Sequence, residues 1–340
     1  MSHLPTPTLR PGGLVDQFGR TARDLRVSVT DRCNLRCTYC MPAEGLPWMP
    51  KAEMLTDEEM LRVIGLFVRD GVTQVRLTGG EPLLRRSLVA LVEGIARLDP
   101  RPRIAMTTNG VGLERVADRL VAAGLDRVNI SLDTIDAETF TRLTRRDRLD
   151  DVESGLAKAA AAGLTPVKVN AVAMRGVNDT DVADLLAWCL ERGYELRFIE
   201  QMPLDAQHAW DRQDMVTAAE IRQRLSERYT LTPLPAADRG SAPAERFLVD
   251  GGPAAVGIIA SVTAAFCAAC DRTRLTADGQ VRNCLFSRTE TDLRTPMRDG
   301  ATDDDLLDLM RGEMWRKRRG HGIGEPDFVQ PDRPMSAIGG

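Results

Sequence analysis

Six of the seven cysteines form two groups of three, and three is an unusual number of metal ligands. The first group is spaced Cys33-x3-Cys37-x2-Cys40 and the second Cys267-x2-Cys270-x13-Cys284. A [4Fe–4S] cluster normally takes four thiolates, one for each iron, so three thiolates leave one iron with an open position. A small molecule can bind and react at such a position. The spacing therefore predicts two clusters, each with one iron available for chemistry.

Zinc is the alternative metal for either group of cysteines. A structural zinc site takes four Cys or His ligands, but no histidine neighbours either group in the sequence, and those nearest to the first group are His3 and His208. The seventh cysteine, Cys189, lies on a predicted helix, where we expect a buried free thiol. Two clusters are therefore the simpler interpretation.

The composition limits the compartment and the partners. The odd number of cysteines argues against a disulfide framework, and residues 1–13 contain no apolar signal-peptide core. No stretch reaches the roughly 18 apolar residues of a membrane span. We therefore expect a protein of the reducing cytoplasm that does not bind membranes. The formal net charge of −4 argues against general affinity for nucleic acid, so any binding of phosphates must be local.

Short β-like runs alternate with amphipathic helices between residues 24 and 200. We predict strands at 25–30, 72–78, 103–108, 126–132, 166–173 and 194–200, and helices near 56–70, 86–98, 112–123, 150–162 and 178–192. Thr56 and Glu59 have the spacing of a capping box at the start of the first helix. The alternation predicts an α/β fold in which crossover helices connect a parallel sheet, either open or rolled into a barrel.

Polar and apolar residues alternate within the predicted strands. Strands buried on both faces usually consist of continuous apolar runs, whereas here Arg26, Arg76 and Lys168 alternate with valine and leucine. With a period of two residues, one face packs against helices and the other collects charged and hydroxyl groups. We therefore expect a polar, cationic cavity inside the sheet. An antiparallel sheet with one solvated face is the alternative, and it fits poorly with crossover helices.

The pattern changes after Met202. Residues 203–219 are irregular, an amphipathic helix is predicted at about 218–229, and residues 233–245 are typical of a linker or mobile loop. A hairpin is predicted between residues 272–276 and 280–285. This hairpin would bring Cys284 back beside Cys270 and place Arg272 and Arg274 on one face.

Motifs spread along the chain resemble those of one enzyme family. They are the first cysteine group, Thr78-Gly79-Gly80-Glu81-Pro82, Thr107-Thr108-Asn109-Gly110, Asn129-Ile130-Ser131-Leu132-Asp133, Phe198-Ile199-Glu200-Gln201-Met202-Pro203, the second cysteine group followed by Arg272-Thr273-Arg274, and the final Gly339-Gly340. From about Leu25 to Gly340 the chain resembles the GTP 3′,8-cyclases, which are radical S-adenosylmethionine (SAM) enzymes. The resemblance implies an incomplete parallel (β/α)6 barrel with the SAM-binding cluster in residues 1–205. It implies a smaller C-terminal region with an auxiliary cluster and an active-site tail in residues 206–340.

The resemblance also implies roles for individual residues. The positions that match cluster ligands are Cys33, Cys37 and Cys40 for the SAM-cleaving cluster and Cys267, Cys270 and Cys284 for the second cluster. The positions that match SAM contacts are Tyr39, Gly80, Ser131 and Met202. The positions that match GTP contacts are Arg26, Arg76, Thr107, Lys168, Arg272, Thr273 and Arg274. Gly339 and Gly340 would reach the active site beside the substrate.

The family's reaction implies the cofactors and partners. Two [4Fe–4S] clusters and SAM would convert GTP to (8S)-3′,8-cyclo-7,8-dihydroguanosine 5′-triphosphate, the first step of molybdenum cofactor biosynthesis. An electron would come from a flavodoxin- or ferredoxin-like protein, and the product would pass to cyclic pyranopterin monophosphate synthase. The oligomeric state is open, with a homodimer among the options.

Two other functions stay open at this point. One is a radical SAM enzyme that modifies a peptide, although such enzymes tend to carry more cysteines in the C-terminal region. The other is a non-enzymatic scaffold in which both cysteine groups hold structural zinc. The scaffold leaves the Gly79-Gly80 turn and the cationic strand faces unexplained.

Overall fold

Six strands connected by helices make up the first half of the computed structural model, which describes residues 12–339. The strands are β1 (Asp24–Ser28), β2 (Gln74–Thr78), β3 (Arg103–Thr108), β4 (Arg127–Ser131), β5 (Lys168–Ala173) and β6 (Glu195–Glu200). The helices are α1 (Asp57–Arg69), α2 (Leu88–Ala96), α3 (Ala117–Ala122), α4 (Ala137–Thr144), α5 (Leu149–Ala161) and α6 (Val182–Glu191). All six predicted strands and all five predicted helices are present, and α4 is an additional helix.

The second half adds shorter elements. They are α7 (Ala218–Ser226), β7 (Leu231–Pro233), β8 (Glu245–Val249), β9 (Ala255–Ile259), β10 (Arg272–Leu275), β11 (Gln280–Arg282), β12 (Thr291–Asp292), α8 (Arg294–Arg298), α9 (Asp303–Trp315) and α10 (Met335–Ile338). The predicted hairpin is confirmed, since β10 and β11 pair antiparallel with Arg274 opposite Arg282.

All twelve strands belong to one sheet with the order β12-β11-β10-β1-β2-β3-β4-β5-β6-β9-β8-β7. The strands from β10 through β1–β6 to β9 run parallel, and antiparallel strands flank them at both ends. The C-terminal strands thus extend both edges of the six-stranded unit, and within residues 12–339 the sheet does not close on itself. The predicted incomplete parallel barrel is confirmed.

Local signals determine where several helices begin. Thr56 and Glu59 form the predicted capping box at the start of α1, and Thr217 begins α7 in the same way. In such a box the threonine side chain accepts the N3 backbone N–H while the N3 side chain accepts the N-cap N–H, so two otherwise unpaired donors are satisfied.

The apolar face of the sheet packs against the helices. Leu25, Val27 and Val75 are fully buried together with Ile64 and Phe67 of α1, while the intervening arginines lie on the opposite face. Cys189 is also fully buried and is a free thiol, as expected. No helix in residues 12–339 is long and apolar enough to cross a membrane.

A second, smaller apolar cluster lies beneath the end of the chain. It consists of Leu204, Met215, Val262, Phe286, Ile323 and Ile338. Ile338 is fully buried, so the last described residues are held against the body of the protein.

Candidate active site

Both cysteine groups open into one cavity of about 950 Å³ on the polar face of the sheet. All six cysteines line this cavity. Ten further residues with predicted roles line it as well, namely Arg26, Tyr39, Arg76, Gly80, Thr107, Ser131, Lys168, Met202, Arg272 and Arg274. Period-two alternation places Arg26, Arg76, Thr107, Ser131 and Lys168 of β1 to β5 on one face of the sheet. Arg272 and Arg274 come from β10, and Tyr39, Gly80 and Met202 come from loops.

Thr273 is the exception among the predicted GTP contacts. Its side chain is fully buried and donates to the Arg282 carbonyl at 3.3 Å, and the residue is absent from the cavity lining. It lies opposite Leu25 in the sheet, whose side chain faces the core. The Thr273 side chain is therefore part of the hairpin and does not contact the cavity.

The first cysteine loop is held by its own backbone and by Arg36. The Cys40 N–H donates to the Cys37 carbonyl at 2.9 Å, and Arg36 Nη1 donates to the Cys33 and Leu35 carbonyls. Burial raises the pKa of Cys33 to about 11 and that of Cys40 to about 12. Without a metal these groups are thiols, so binding of iron must displace protons.

The Gly79-Gly80 turn packs directly beneath this loop. A Cβ on Gly80 would collide with the Arg32 carbonyl and lie 2.6 Å from the Asp31 carbonyl, and a Cβ on Gly79 would collide with Thr30. The glycines are thus required for close approach of two backbones. From the sequence we expected only that Gly80 matches a SAM contact.

Glu81 joins the ends of β2 and β3 below the same loop. Its buried carboxylate accepts from the Thr108 hydroxyl at 2.6 Å and from the Asn109 and Leu83 N–H groups at 2.7 and 2.9 Å. Burial raises the pKa of Glu81 to about 7. Asn109 in turn places its Nδ2 3.9 Å from the Cys33 sulfur, so this network supports the first cysteine group from behind.

Asp133 is a cavity residue to which we assigned no role from the sequence. The Tyr39 hydroxyl donates to Asp133 Oδ2 at 2.9 Å, and the Val172 N–H donates to Oδ1 at 2.8 Å. Burial raises the pKa of Asp133 to about 6. The aspartate therefore connects the cysteine loop to the ends of β4 and β5.

The second cysteine group is built on the β10–β11 hairpin and the loop before it. The Cys270 N–H donates to the Cys267 carbonyl at 3.1 Å, and Cys284 follows β11 by two residues. Burial would raise the pKa of Cys270, but Arg272 and Lys317 outweigh it and lower the pKa to about 7. Burial raises the pKa of Cys267, opposed by a hydrogen bond from the His321 backbone.

His321 thus lies near the second group although it is distant in sequence. It lines the cavity, and its ring centroid is 5.1 Å from that of Phe286. Within residues 12–339, however, no three Cys, His, Asp or Glu side chains are placed so that they could share a single metal ion. Three thiolates that each bind a different iron do not need to converge on one point. Three thiolates in each group are the donor set expected for a cluster with one open iron.

Buried arginines with unsatisfied N–H donors are the main electrostatic feature of the cavity, although Arg26 also lies 4.0 Å from the Asp24 carboxylate. In the described part of the chain, buried nitrogens of Arg26 (Nε), Arg76 (Nε and Nη1) and Arg272 (Nε and Nη2) have no hydrogen-bond partner. Burial and the neighbouring Arg26 lower the pKa of Arg76 to about 10 and that of Arg274 to about 9. Buried donors without partners are costly, so the cavity is suited to a ligand with several negative charges.

Further cations at the same cavity were missed from the sequence. Arg197 lines it and pairs with Glu195 at 2.7 Å, and Glu195 also lies 3.5 Å from Lys168. The alternation in β6 could have indicated Arg197. Arg239 lines the cavity together with residues 240–243, which belong to the segment that we interpreted as a linker.

The end of the chain packs beside the cavity, whose lining includes Met335 and Ser336 but not Gly339. The carbonyl of Gly339 accepts a hydrogen bond from Arg274 Nη1, and its φ of +72° favours glycine. A Cβ on Gly339 would collide with the Thr78 hydroxyl and lie 2.6 Å from the Ser28 hydroxyl. Gly340, for which we predicted a catalytic role together with Gly339, lies outside the described residues.

Comparison with known proteins covers nearly the whole chain. Residues 27–189 match the family described as Radical SAM superfamily, and residues 194–323 match Molybdenum Cofactor Synthesis C. A GTP 3′,8-cyclase of Streptomyces coelicolor is 62% identical over 328 residues, which cover 96% of each chain. A GTP 3′,8-cyclase 2 of Mycobacterium tuberculosis H37Rv is 60% identical over 334 residues, covering 97% of this chain and 92% of that protein.

Solved structures with low sequence identity share the fold. Native anSMEcpe with bound AdoMet has a TM-score of 0.61 at 15% identity and covers 88% of this chain and 82% of its own. Streptococcus suis SuiB bound to precursor peptide SuiA has a TM-score of 0.58 at 13% identity, covering 88% of this chain and 68% of its own. At such identities the likeness establishes the architecture alone.

Proposed function

The chain belongs to the GTP 3′,8-cyclase family of radical SAM enzymes, and we propose that it performs the family's reaction in the single cavity described above. The reaction converts GTP to (8S)-3′,8-cyclo-7,8-dihydroguanosine 5′-triphosphate, the first step of molybdenum cofactor biosynthesis. A [4Fe–4S] cluster and SAM follow from membership of the superfamily. The family, the fold class and the enzyme class predicted from the sequence are confirmed.

One observation carries the assignment of the site: both cysteine groups and the arginines with unsatisfied buried donors line the same cavity. A radical generated from one cofactor must meet its substrate within van der Waals reach, before it reacts with anything else. This cavity satisfies the requirement, because it contains both groups of cluster ligands and the donors for a triphosphate. Curated relatives named GTP 3′,8-cyclase also disfavour the peptide-modifying enzyme and the zinc scaffold.

Cys33, Cys37 and Cys40 are the proposed ligands of the SAM-cleaving cluster, with Tyr39, Gly80, Ser131 and Met202 as SAM contacts. When bound by these three thiolates, the cluster would supply one electron for the cleavage of SAM into methionine and the 5′-deoxyadenosyl group that takes hydrogen from C3′ of GTP. The chain's own part is positional. Asp133 fixes Tyr39 through its hydroxyl, and the Gly79-Gly80 turn holds the loop at close approach.

The GTP contacts are the second part of the proposal. Arg26, Arg76, Arg272 and Arg274 offer guanidinium groups, which match phosphate oxygens in pairs, and Lys168 and Thr107 add an ammonium and a hydroxyl. Arg272 also lies 4.5 Å from the Phe266 ring centroid, which fixes the plane of its guanidinium. Thr273 contributes by holding Arg272 and Arg274 on the cavity face of β10.

A second cluster at Cys267, Cys270 and Cys284 completes the proposed site. Its open iron would bind the guanine base, and Gly339 and Gly340 would close the cavity beside the substrate. The entry of Gly339 between Ser28, Thr78 and Arg274 supports a tail that reaches the site. The division into a barrel of residues 1–205 and a C-terminal region of residues 206–340 belongs to the same proposal.

The partners also belong to the proposal. The enzyme would work in the reducing cytoplasm, accept electrons from a flavodoxin- or ferredoxin-like protein and pass its product to cyclic pyranopterin monophosphate synthase. The chemistry of the product supports the last step, because a cyclised nucleotide with an intact triphosphate must be processed further to become a pterin.

Anaerobic incubation with SAM, dithionite and GTP tests the function. We expect 5′-deoxyadenosine and one cyclised nucleotide, both dependent on GTP and on iron. Replacement of Cys37 by Ser should abolish both products, because a hydroxyl replaces a thiolate poorly on iron. Undiminished 5′-deoxyadenosine from Cys37→Ser would refute the radical mechanism.

A further inference from the structure

We infer that Lys317 is a positioning residue for the second cysteine group, whose ammonium donates to the Cys270 sulfur and makes a cluster bound there easier to reduce. This inference rests on the proposed function, because it concerns the second cluster. Neither the spacing of the cysteines nor the resemblance to the family assigned a role to Lys317.

The contacts of Lys317 converge on the loop that carries Cys270. Its Nζ lies 3.4 Å from the Cys270 sulfur, 3.4 Å from the Cys270 carbonyl and 2.7 Å from the Arg272 carbonyl. An ammonium has three N–H donors, and these three acceptors account for all of them. The lysine therefore fixes the sulfur and the backbone on both sides of Asp271 with one group.

The charge of this ammonium is buried. Lys317 is 3% exposed, and none of its hydrogen-bond partners in the described part of the chain is a carboxylate. A buried charge is costly unless an opposite charge compensates it. Among these three partners only the Cys270 sulfur, as a thiolate ligand, can carry the opposite charge, so Lys317 and a thiolate ligand stabilise each other.

The identity of the residue supports a specific role. Only four of the 45 basic residues of this chain are lysines, and these are Lys51, Lys158, Lys168 and Lys317. A planar guanidinium spreads its donors in one plane, whereas a compact ammonium can point three donors at a sulfur and two carbonyls. An arginine at this position would not reproduce the contacts.

The two cysteine groups differ in the charge of a side-chain donor beside one of their sulfurs. In the first group this donor is the neutral amide of Asn109, with Nδ2 3.9 Å from the Cys33 sulfur. In the second it is the ammonium of Lys317, 3.4 Å from the Cys270 sulfur, and Arg272 adds a further positive charge near Cys270. Hydrogen bonds to sulfur and nearby positive charge stabilise the reduced, more negative state of a cluster. We therefore expect the second cluster to have the more positive reduction potential, and Lys317 to be a cause of the difference.

The test is a reductive titration of the clusters, monitored by electron paramagnetic resonance. It is carried out on the iron-loaded full chain and on its Lys317→Met variant. Methionine keeps the length of the side chain and removes the donors and the charge. The signal of the second cluster is identified in the full chain with Cys33, Cys37 and Cys40 replaced by Ala. Lys158→Met is the matched control, because Lys158 pairs with Asp118 at 2.6 Å on the surface.

We expect Lys317→Met to shift the potential of the second cluster to a more negative value and to leave the first cluster and the Lys158→Met control unchanged. An unshifted potential in Lys317→Met with both clusters intact would overturn the inference. If that variant does not fold, Lys317→Gln decides in the same way, since an amide keeps a donor without the charge and should give a smaller negative shift. A native protein that holds only about four irons would instead refute the second cluster itself.

Discussion

At the level of single residues, the cavity combines cations that repel one another with donors that lack partners. Arg26 contributes to the lowered pKa values of both Arg76 and Arg274, which means that their charges are close enough to interact. A triphosphate would relieve this repulsion and satisfy the free donors together. The same residues would gain little from an uncharged nucleoside.

Replacement of Arg274 or Lys168 by Ala should therefore weaken binding of GTP much more than binding of guanosine. The loss for GTP should be about 1.5–3 kcal/mol, the contribution of one hydrogen bond to a charged group. Equilibrium binding of both ligands measures the difference. Lys158→Ala, which removes a surface lysine, is the control and should change neither affinity. Equal losses for GTP and guanosine would place Arg274 and Lys168 away from the phosphates.

The affinity for GTP should also depend on pH through Lys168. Burial and the nearby Arg197 lower the pKa of Lys168 to about 8, so the ammonium loses its charge as the pH rises through that value. The ratio of GTP affinity to guanosine affinity should fall between pH 7 and pH 8.5 and fall less in Lys168→Arg. A ratio that is constant over this range in the native protein would contradict the assignment.

At the level of elements, the turn after β2 supports the first cysteine loop through backbone packing. Gly80→Ala should reduce the iron bound by the first group, because its Cβ would collide with the Arg32 carbonyl and displace the loop. Iron and sulfide analysis together with SAM binding measures this effect. Gly324→Ala is the matched control, since a Cβ there has nothing within 4 Å. Full iron content in Gly80→Ala would show that the loop tolerates the displacement.

The tail is the other element with a specific expectation. Gly339→Ala should impair cyclisation while both clusters form and SAM is still cleaved, because the substitution strains a positive φ and collides with Thr78. Product analysis beside iron content distinguishes this result from misfolding. Ser336→Ala, in helix α10 just before Gly339 and also at the cavity, shows the effect of altering the tail without a change at the glycine. Undiminished cyclisation by Gly339→Ala would contradict a role for the tail.

The elements also show what could be predicted from the sequence. The strands and the cavity face were predictable because period-two alternation is a local property of residues such as Arg26 and Arg76. Helix α4 was missed because it has only eight residues and few of them are apolar. The roles of Glu81, Asp133 and Lys317 could not be predicted, because each depends on which distant backbone or sulfur comes within hydrogen-bond distance. Residues 239–243 were interpreted as a linker because composition does not reveal that a polar loop folds over a cavity.

At the level of the whole molecule, the C-terminal strands bring the second cysteine group to the first. Strand β10 pairs parallel to β1 with Arg272 opposite Asp24 and Arg274 opposite Arg26. This pairing joins cations from the beginning and the end of the chain on one cavity face, and it places Cys270 at the edge of the same cavity. We therefore propose that the two separate cysteine groups take part in one reaction in one cavity.

The most direct test of this claim compares the native protein with Cys284→Ala in anaerobic reactions that contain SAM, dithionite and GTP. We predict about eight irons, 5′-deoxyadenosine and cyclised nucleotide for the native protein. For Cys284→Ala we predict about four irons and slow formation of 5′-deoxyadenosine without cyclised nucleotide. Formation of the cyclised nucleotide by a Cys284→Ala protein with only the first cluster would contradict a role for the second cysteine group in the reaction.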